Sequence, residues 1–354
     1  MSSAAKLFAM QTEITTPLPL LNAEGHITRE GWARHPLWQY DRQAVRAPKW
    51  RIKEWDYFSV LSPDQQFGIA LTVADLGYIG MAAICFLDLG RGTFHQVDTL
   101  SLFPMGQTGF PAGSDEGTVR FGDKKLQVEF SYNGGQRVLN FSAPGLVNAQ
   151  GDKGITGSIT LEQPAAMESM NIATSWAENR RAFYYNRKVN CMPAQGGFTI
   201  GQQQYTFAPE RDMGALDWGR GHWTYKNRWY WGSASGHAQG HALGWNIGYG
   251  FTDRSPASEN MLFVDGVAHK LADVTFHMDT KDYTQPWRFT SSDQRFEMAF
   301  TPIVDRNSSI HLGLIRSTQH QVFGYYSGTV VLDDGRCITV DRFLGFAEDV
   351  LNWW

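Results

Sequence analysis

An aspartate, an arginine and a histidine stand close together in one of the most aromatic segments of the chain. Asp217, Arg220 and His222 belong to the segment DWGRGHWTYKNRWYWGSASG, which also holds six tryptophan and tyrosine residues. A carboxyl or imidazole group in a dry, apolar pocket can donate a proton, because burial disfavours its charged form. We therefore predict Asp217 or His222 as a catalytic proton donor, with Arg220 orienting it or binding a polar head group.

The backbone decides whether these three side chains can meet. In an extended strand alternate residues point to opposite faces, so Asp217 would face away from Arg220 and His222. Gly219 and Gly221 permit a bend or bulge, and we expect it to bring all three to one cavity. The alternative is structural: Asp217 and Arg220 form a buried ion pair at a barrel mouth, and His222 is a hydrogen-bonded core group.

A second segment, RIKEWDYF, carries four charged residues within six positions. Charges in a strand otherwise built for burial are costly unless they are paired. We expect Lys53 or Glu54 to reach the same cavity as Asp217, with a row of inter-domain ion pairs as the alternative. A pocket-lining tyrosine is expected in RAFYYNRK, where ordinary strand packing is the alternative. The predicted substrate-binding residues are Trp218, Tyr225, Trp231, Lys53, Glu54, Trp55 and Tyr184.

Metal and cofactor sites have weak support in the sequence. His237 and His241 have the spacing of a zinc pair on a helix, but glycines flank them and no HExxH glutamate is present. The three cysteines are widely spaced. There is no glycine-rich phosphate loop or nucleophile elbow, which argues against nucleotide-dependent and acyl-transfer chemistry. We expect no metal and no cofactor.

Composition narrows the class of partner. The formal net charge of −4 offers no long-range attraction for nucleic acid or an anionic membrane. The first residues lack the pattern of a signal peptide, and no uninterrupted apolar run reaches the roughly 18 residues of a spanning helix. These features predict a cytoplasmic protein without stable membrane insertion. A small apolar molecule or lipid is the expected partner, and the oligomeric state stays open.

The dominant period along the chain is two, which predicts an all-β protein. KLQVEFSY alternates apolar and polar residues, GTVVLDDGRCITV has the pattern of a hairpin, and turn signals recur about every ten residues. We predict two lipocalin-like β-barrels, or half-open sandwiches, packed together. The tail FLGFAEDVLNWW is predicted as a short C-terminal helix, because Phe346, Val350, Leu351 and Trp354 fall on one helical side.

An internal similarity supports two related halves. A shift of 174 residues places Trp55 over Trp229, and each half then has a strand of the form Trp-x-aromatic-x-Ser. A loop and a small-residue apolar strand follow in both. We predict an N-terminal lipocalin-like domain over 1–190 and a C-terminal one over 191–354, joined near the segment CMPAQGG.

Four segments carry a resemblance to a known family: LLNAEGHITREGWARHPLWQYDR, RIKEWDYFSVLS, DWGRGHWTYKNRWYWGSASG and GTVVLDDGRCITVDRFLGFAED. Their order and spacing resemble the domain of unknown function 2804 family. More distantly, the chain resembles the calycin-like superfamily of hydroxyneurosporene synthase, tocopherol cyclase and the lipocalin-like pericyclases. That resemblance implies two lipocalin-like barrels and a pocket formed partly by their interface. It also implies chemistry on long apolar isoprenoid or polyketide substrates that uses an acid or an electrostatic clamp instead of a cofactor. The signature region departs from that of the hydratase, so the fold transfers better than the reaction.

Two hypotheses for function follow. The first is a cofactor-free lyase or isomerase, hydratase-like or cyclase-like, that protonates an apolar lipid-like or isoprenoid substrate in an aromatic pocket. The second is a non-catalytic protein that binds lipids or other hydrophobic ligands. The number of inward-facing ionisable groups discriminates between them, because a simple carrier has less reason to bury such groups.

Overall fold

The computed structural model describes residues 11–354, and over this range the protein is almost entirely β-structure. Two short 3-10 helices, Arg42–Ala44 and Lys49–Arg51, accompany the strands. The strands of the first part are β1 Leu18–Pro19, β2 Gly31–Ala33, β3 Trp38–Gln39, β4 Ile52–Ser62, β5 Phe67–Asp75, β6 Ile79–Asp88, β7 Thr93–Leu102, β8 Thr118–Gly122, β9 Gln127–Asn133, β10 Gln136–Val147, β11 Lys153–Glu162, β12 Met170–Trp176, β13 Asn179–Ile200, β14 Gln203–Phe207 and β15 Met213–His222. Those of the second part are β16 Lys226–Ala238, β17 His241–Tyr249, β18 Met261–Val264, β19 Val267–Lys270, β20 Val274–His277, β21 Trp287–Ser291, β22 Phe296–Leu312, β23 Ile315–Val331 and β24 Cys337–Trp353.

Two large sheets organise these strands. The first runs in the order β7-β6-β5-β4-β15-β13-β11-β10-β9-β8, with β12, β14 and β2 attached at its side. The second runs β19-β18-β17-β16-β24-β23-β22-β21-β20. The sheets curl into one nearly closed barrel and one half-barrel, which confirms the predicted all-β, barrel-like architecture.

The C-terminal tail is a strand, so the predicted helix is wrong. Cys337–Trp353 pairs with β16 on one side and with β23 on the other. Its residues are buried on both faces from Phe343 to Val350, and a segment buried all round shows no alternation that distinguishes a strand from a helix. Cross-strand pairing on both edges satisfies its backbone hydrogen bonds in the extended form.

The two halves contain matching hairpins. The offset of 174 residues carries the starts of β4 and β5 to the starts of β16 and β17. Trp55 and Trp229 therefore lie in equivalent strands of two separate sheets. The chain passes from the first sheet to the second between His222 and Lys226, which is later than the boundary predicted at residues 190 and 191. That boundary falls within the long strand β13. The N-terminal part of β13 pairs with β12 and β15, and its C-terminal part pairs with β11 and β14.

Each sheet encloses an apolar core, and further apolar clusters join the two sheets. One cluster includes Tyr184 of the first sheet and Phe263 of the second. Another brings Tyr57 of the first sheet against Trp231 and Phe346 of the second. We call this contact surface the interface; β4, β13 and β15 form it on one side, and β16, β17 and β24 on the other.

Candidate functional site

Strand alternation assigns the predicted site residues to two different faces of the first sheet. β15 pairs with β4 in unbroken register from Met213 opposite Leu61 to His222 opposite Ile52. Asp217 therefore points to the interface, whereas Arg220 points to the core of the first sheet. The predicted convergence of Asp217, Arg220 and His222 on one cavity does not occur.

The two glycines of this strand serve close packing rather than a bend. A methyl group on Gly219 would overlap the ring of Trp55, and one on Gly221 would lie 2.5 Å from the carbonyl oxygen of Phe183. The ring of Trp55 at Gly219 and the backbone of Phe183 at Gly221 thus require glycine at these positions. The strand stays extended, and its alternation separates the three polar side chains.

At the interface, Asp217 forms a buried ion pair with Lys188. Its Oδ2 lies 2.8 Å from Lys188 Nζ, and its Oδ1 accepts a hydrogen bond of 2.6 Å from Asn186 Nδ2. The ammonium group also stands 3.7 Å from the ring centre of Trp231, which belongs to the second sheet. Charge pairing and a cation–π contact together compensate for burying this lysine.

Two glutamates from the second part of the chain, Glu348 of β24 and Glu259 just before β18, share this polar cluster. Glu348 accepts hydrogen bonds from Trp229 Nε1 at 2.9 Å and from Gln321 Nε2 at 3.3 Å. Burial raises its pKa from 4.5 to about 7. Burial also raises the pKa of Glu259; the charge of Lys188 opposes this shift and that of Asp217 adds to it. Both carboxyl groups thus favour the protonated form more than an exposed glutamate does.

Glu259 stands in the wall of a cleft at the interface. The cleft is small and partly open to solvent, and its other walls include Tyr184, Tyr249, Phe251 and Arg254. The rings of Tyr184 and Phe251 meet edge to face at 4.7 Å. Burial, and then the negative charge of Glu259, raise the pKa of Tyr184 well above its usual value. The cleft therefore combines aromatic walls with one buried carboxyl group.

A hydrogen-bonded chain leads from this cleft towards the Asp217–Lys188 pair. Asn246 Nδ2 donates to Glu259 Oε2 at 3.3 Å, and Asn246 Oδ1 accepts from Trp231 Nε1 at 2.6 Å. The ring of Trp231 then carries the Lys188 ammonium on its face. The carboxyl group at the cleft and the ion pair behind it are thus parts of one polar network.

Arg220 lies in the core of the first sheet, away from this network. Its Nη1 is 3.1 Å from Asp56 Oδ1, and its Nε is 4.0 Å from Glu54 Oε1. The guanidinium is packed between Trp218, at 4.0 Å, and Phe110, at 4.7 Å. The arginine is therefore ion-paired, as the structural alternative proposed, but with acids of β4 instead of Asp217.

The remaining predicted residues are dispersed. Trp55 stacks on Tyr184 at 6.3 Å, close to the cleft. Lys53 is buried beside Trp354 at 4.5 Å, and burial lowers its pKa to about 7. His222 is the last residue of β15, and its Nδ1 lies 3.1 Å from the carbonyl oxygen of Arg181. Tyr225 is exposed in the connection from β15 to β16. The structure therefore brings Asp217, Trp231, Tyr184 and Trp55 to the interface, with Lys53 at its margin.

Lys188, Glu259 and Glu348 were missed by the sequence analysis. A signal existed for Lys188, because alternation through YYNRK places it on the same strand face as Tyr184 and Asn186. Glu348 was hidden by the helical interpretation of the tail. Glu259 lies in an irregular segment before β18, where no local pattern predicts the direction of a side chain.

Two further properties concern metals and membranes. Among residues 11–354, no group of three or more histidine, cysteine, aspartate or glutamate side chains is arranged to hold a metal ion. The same part of the chain contains no helix that is both long and apolar enough to cross a membrane.

Comparison with solved structures shows where else this fold occurs. An AttH-type protein from Nitrosomonas europaea is 12% identical, with a TM-score of 0.51 over 88% of this chain and 95% of that chain. CghA, solved with Sch210972, is 13% identical, with a TM-score of 0.55 over 97% of this chain and 96% of that chain. Kievitone hydratase from Nectria haematococca is 12% identical, with a TM-score of 0.46 over 85% and 88%. At such identities the first two matches show a shared fold alone.

Sequence comparison identifies the family. Among curated protein sequences, none matches this chain. One family model, described as Domain of unknown function (DUF2804), matches residues 11–354. The resemblance predicted from the four sequence segments is thereby confirmed, and the chain belongs to the DUF2804 family.

Proposed function

We propose that the protein is a cofactor-free lyase or isomerase, hydratase-like or cyclase-like, that protonates an apolar substrate in the interface cleft. The observation that carries this proposal is a buried carboxyl group, Glu259, in the wall of an aromatic cleft. An enzyme that adds a proton to an alkene needs an acid that stays protonated near neutral pH. It also needs walls that stabilise the positive charge that develops on carbon.

The surroundings of Glu259 shift it in the direction of the first requirement. Burial raises its pKa, and the nearby negative charge of Asp217 acts in the same direction. After proton transfer, Lys188 and the Asn246 amide stabilise the carboxylate, because both act on the charged form. The group can therefore donate a proton and recover one within a catalytic cycle.

The aromatic walls meet the second requirement. Tyr184, Tyr249 and Phe251 present rings to the cleft, and the negative face of an aromatic ring attracts a cation. These rings also give the cleft an apolar lining, which favours an isoprenoid or lipid-like substrate over a charged one. CghA, which has this fold, is solved with the small molecule Sch210972, and this supports a ligand-binding role for the fold.

The three residues predicted to be catalytic have different roles in this proposal. Asp217 holds Lys188 in place, and the pair sets the electrostatic potential at Glu259. Arg220 packs in the first-sheet core and His222 lies at the end of β15, so both stand outside the cleft. Asp217 is therefore a positioning residue, and the role of proton donor passes to Glu259.

The rival function is ligand binding without chemistry. An aromatic cleft would suffice for it, but the interface also buries Lys188, Asp217, Glu259 and Glu348. Burying four ionisable groups is costly, and a carrier of apolar molecules has less reason to do so. The buried charges therefore favour the enzyme.

Deuterium incorporation tests the proposal. Native mass spectrometry and solvent extraction of the purified protein would identify a co-purifying apolar compound, which is then incubated with the protein in D₂O. We expect the wild type to add one deuteron to a substrate carbon and Glu259→Gln to bind the compound without converting it. A compound that binds and is recovered without deuterium from the wild type would establish the carrier function instead.

A further inference from the structure

A long loop covers charged groups in the core of the first sheet. Residues 103–117 connect β7 to β8 without a helix or strand, and connections of this length are uncommon in compact domains unless they are functional. Asp75 holds the start of the loop by accepting hydrogen bonds from Gly106 N at 2.8 Å and Thr108 Oγ1 at 3.1 Å. The far end of the loop, 111–117, lies against buried arginines.

Arg137 of β10 and Arg187 of β13 meet at this end of the loop. They are 5% and 2% exposed, and both form ion pairs with the exposed side chain of Asp115, at 2.9 and 2.6 Å. Ser114 also serves both arginines, accepting from Arg137 through its carbonyl oxygen and from Arg187 through its hydroxyl, each at 2.7 Å. The loop therefore supplies both carboxylate oxygens and two further acceptors, while Gln163 Oε1 and Ser169 Oγ outside the loop accept from Arg137 Nε and Arg187 Nε.

The positive and negative groups of this cluster lie on different kinds of structure. The two adjacent guanidinium groups lie on strands, whereas the carboxylate that pairs with both lies on an irregular surface loop. Burial lowers the pKa of Arg137 to about 10, and the charge of Arg187 acts in the same direction. The strands alone thus present an excess of positive charge in a fork geometry that suits a carboxylate. In this structure the carboxylate that meets both guanidinium groups is that of Asp115.

A small cleft, partly open to solvent, lies beside Arg137, with Phe58, Val119 and Phe130 among its walls. Five residues of the loop end 111–117 form another of its walls, so movement of this loop end would enlarge the cleft. Trp218 also lines it, and the buried Nε1 of this residue has no acceptor within hydrogen-bonding distance in the described part of the chain. Asp56 stands in the same cleft, so its negative charge disfavours a dianion more than a monoanion.

We propose that this cleft binds a small monocarboxylic acid with an apolar, ring-sized body, whose carboxylate displaces Asp115 from Arg137 and Arg187. The loop end 111–117 moves aside to admit it. This site shares no lining residue with the interface cleft, so it is separate from the proposed catalytic site.

Calorimetric titration of the full chain with 3-phenylpropanoate tests the site. Asp115→Asn keeps the shape of the side chain but removes the competing charge, so the probe should bind about tenfold more tightly to it than to the wild type. The matched control is Asp64→Asn, because Asp64 is an exposed carboxylate in the turn between β4 and β5 and does not line this cleft. This control should bind the probe as the wild type does.

Uncharged 3-phenylpropanol and inorganic phosphate complete the test. For both the wild type and Asp115→Asn, we expect the affinity of each of these two compounds to be more than tenfold weaker than that of 3-phenylpropanoate. Equal affinity of 3-phenylpropanoate for the wild type and Asp115→Asn would overturn the displacement of Asp115. Absence of binding to an Asp115→Asn protein with wild-type circular dichroism would overturn the site itself, and phosphate binding as tight as the carboxylate would overturn the ligand class.

Discussion

Replacing Glu348 by glutamine should change how stability depends on pH. Burial raises the pKa of this glutamate from 4.5 to about 7, so the folded protein retains a proton that the unfolded chain releases. Stability from this group is therefore fully present below pH 4.5 and is lost as the pH rises through 7. At about 1.4 kcal/mol per pKa unit, the loss amounts to about 3 kcal/mol at pH 8.

Glu348→Gln lacks this titration because an amide does not ionise. Its carbonyl oxygen can still accept the hydrogen bond from Trp229, whereas its amide nitrogen faces the amide of Gln321. The second contact adds a pH-independent loss of about 1 kcal/mol. The variant should thus be slightly less stable than the wild type at pH 4 and about 2 kcal/mol more stable at pH 8.

Urea unfolding between pH 4 and pH 8, followed by far-ultraviolet circular dichroism, measures this difference. The slope with urea should be alike in both proteins, so the midpoints report stability. Glu24→Gln is the matched control, because Glu24 is exposed, and it should follow the wild type throughout. If the curves of wild type and Glu348→Gln stay parallel across this range, the burial argument for Glu348 is wrong.

The other predictions concern packing, pairing and metal content. Gly219→Ala should cost about 1–3 kcal/mol of stability because the added methyl overlaps Trp55, whereas Gly145→Ala, with open space around it, should be nearly neutral in the same melts. Arg220→Met leaves Asp56 buried without its partner and should cost about 3–5 kcal/mol, measured by urea unfolding; a loss under about 1 kcal/mol would contradict the pairing. Elemental analysis of the purified protein should find no stoichiometric zinc or iron.

Much of the fold could be predicted from short-range patterns. Alternation of apolar and polar residues in KLQVEFSY and the Asp334-Gly335 turn are properties of a few consecutive residues, and both lie in strands or turns as expected. The tail failed because it is buried on both faces, so its apolar residues follow no single period. Local patterns therefore locate strands best where one face meets solvent.

The candidate site was only partly predictable. Extended geometry already implied that Asp217 and Arg220 face opposite ways, and the glycine spacing misled because the glycines make room for Trp55 and the backbone of Phe183. The pairing of Asp217 with Lys188 depends on which strand lies beside β15. That choice is made by packing across the whole sheet, which no local pattern contains.

The duplicated hairpins account for the occurrence of two buried acids at one interface. Asp217 lies opposite Tyr57 on the strand beside β4, and Glu348 lies opposite Trp231 on the strand beside β16. Tyr57 and Trp231 are themselves equivalent under the offset of 174 residues, so the two acids occupy equivalent positions in the two sheets.

The two acids differ in the residue opposite them on their other neighbouring strand. Asp217 lies opposite the cationic Lys188 of β13, whereas Glu348 lies opposite the neutral amide of Gln321 of β23. A cation favours the ionised carboxylate and an amide does so far less. One repeated position therefore pairs an acid with a cation in the first sheet and places a carboxyl group of raised pKa beside a neutral amide in the second.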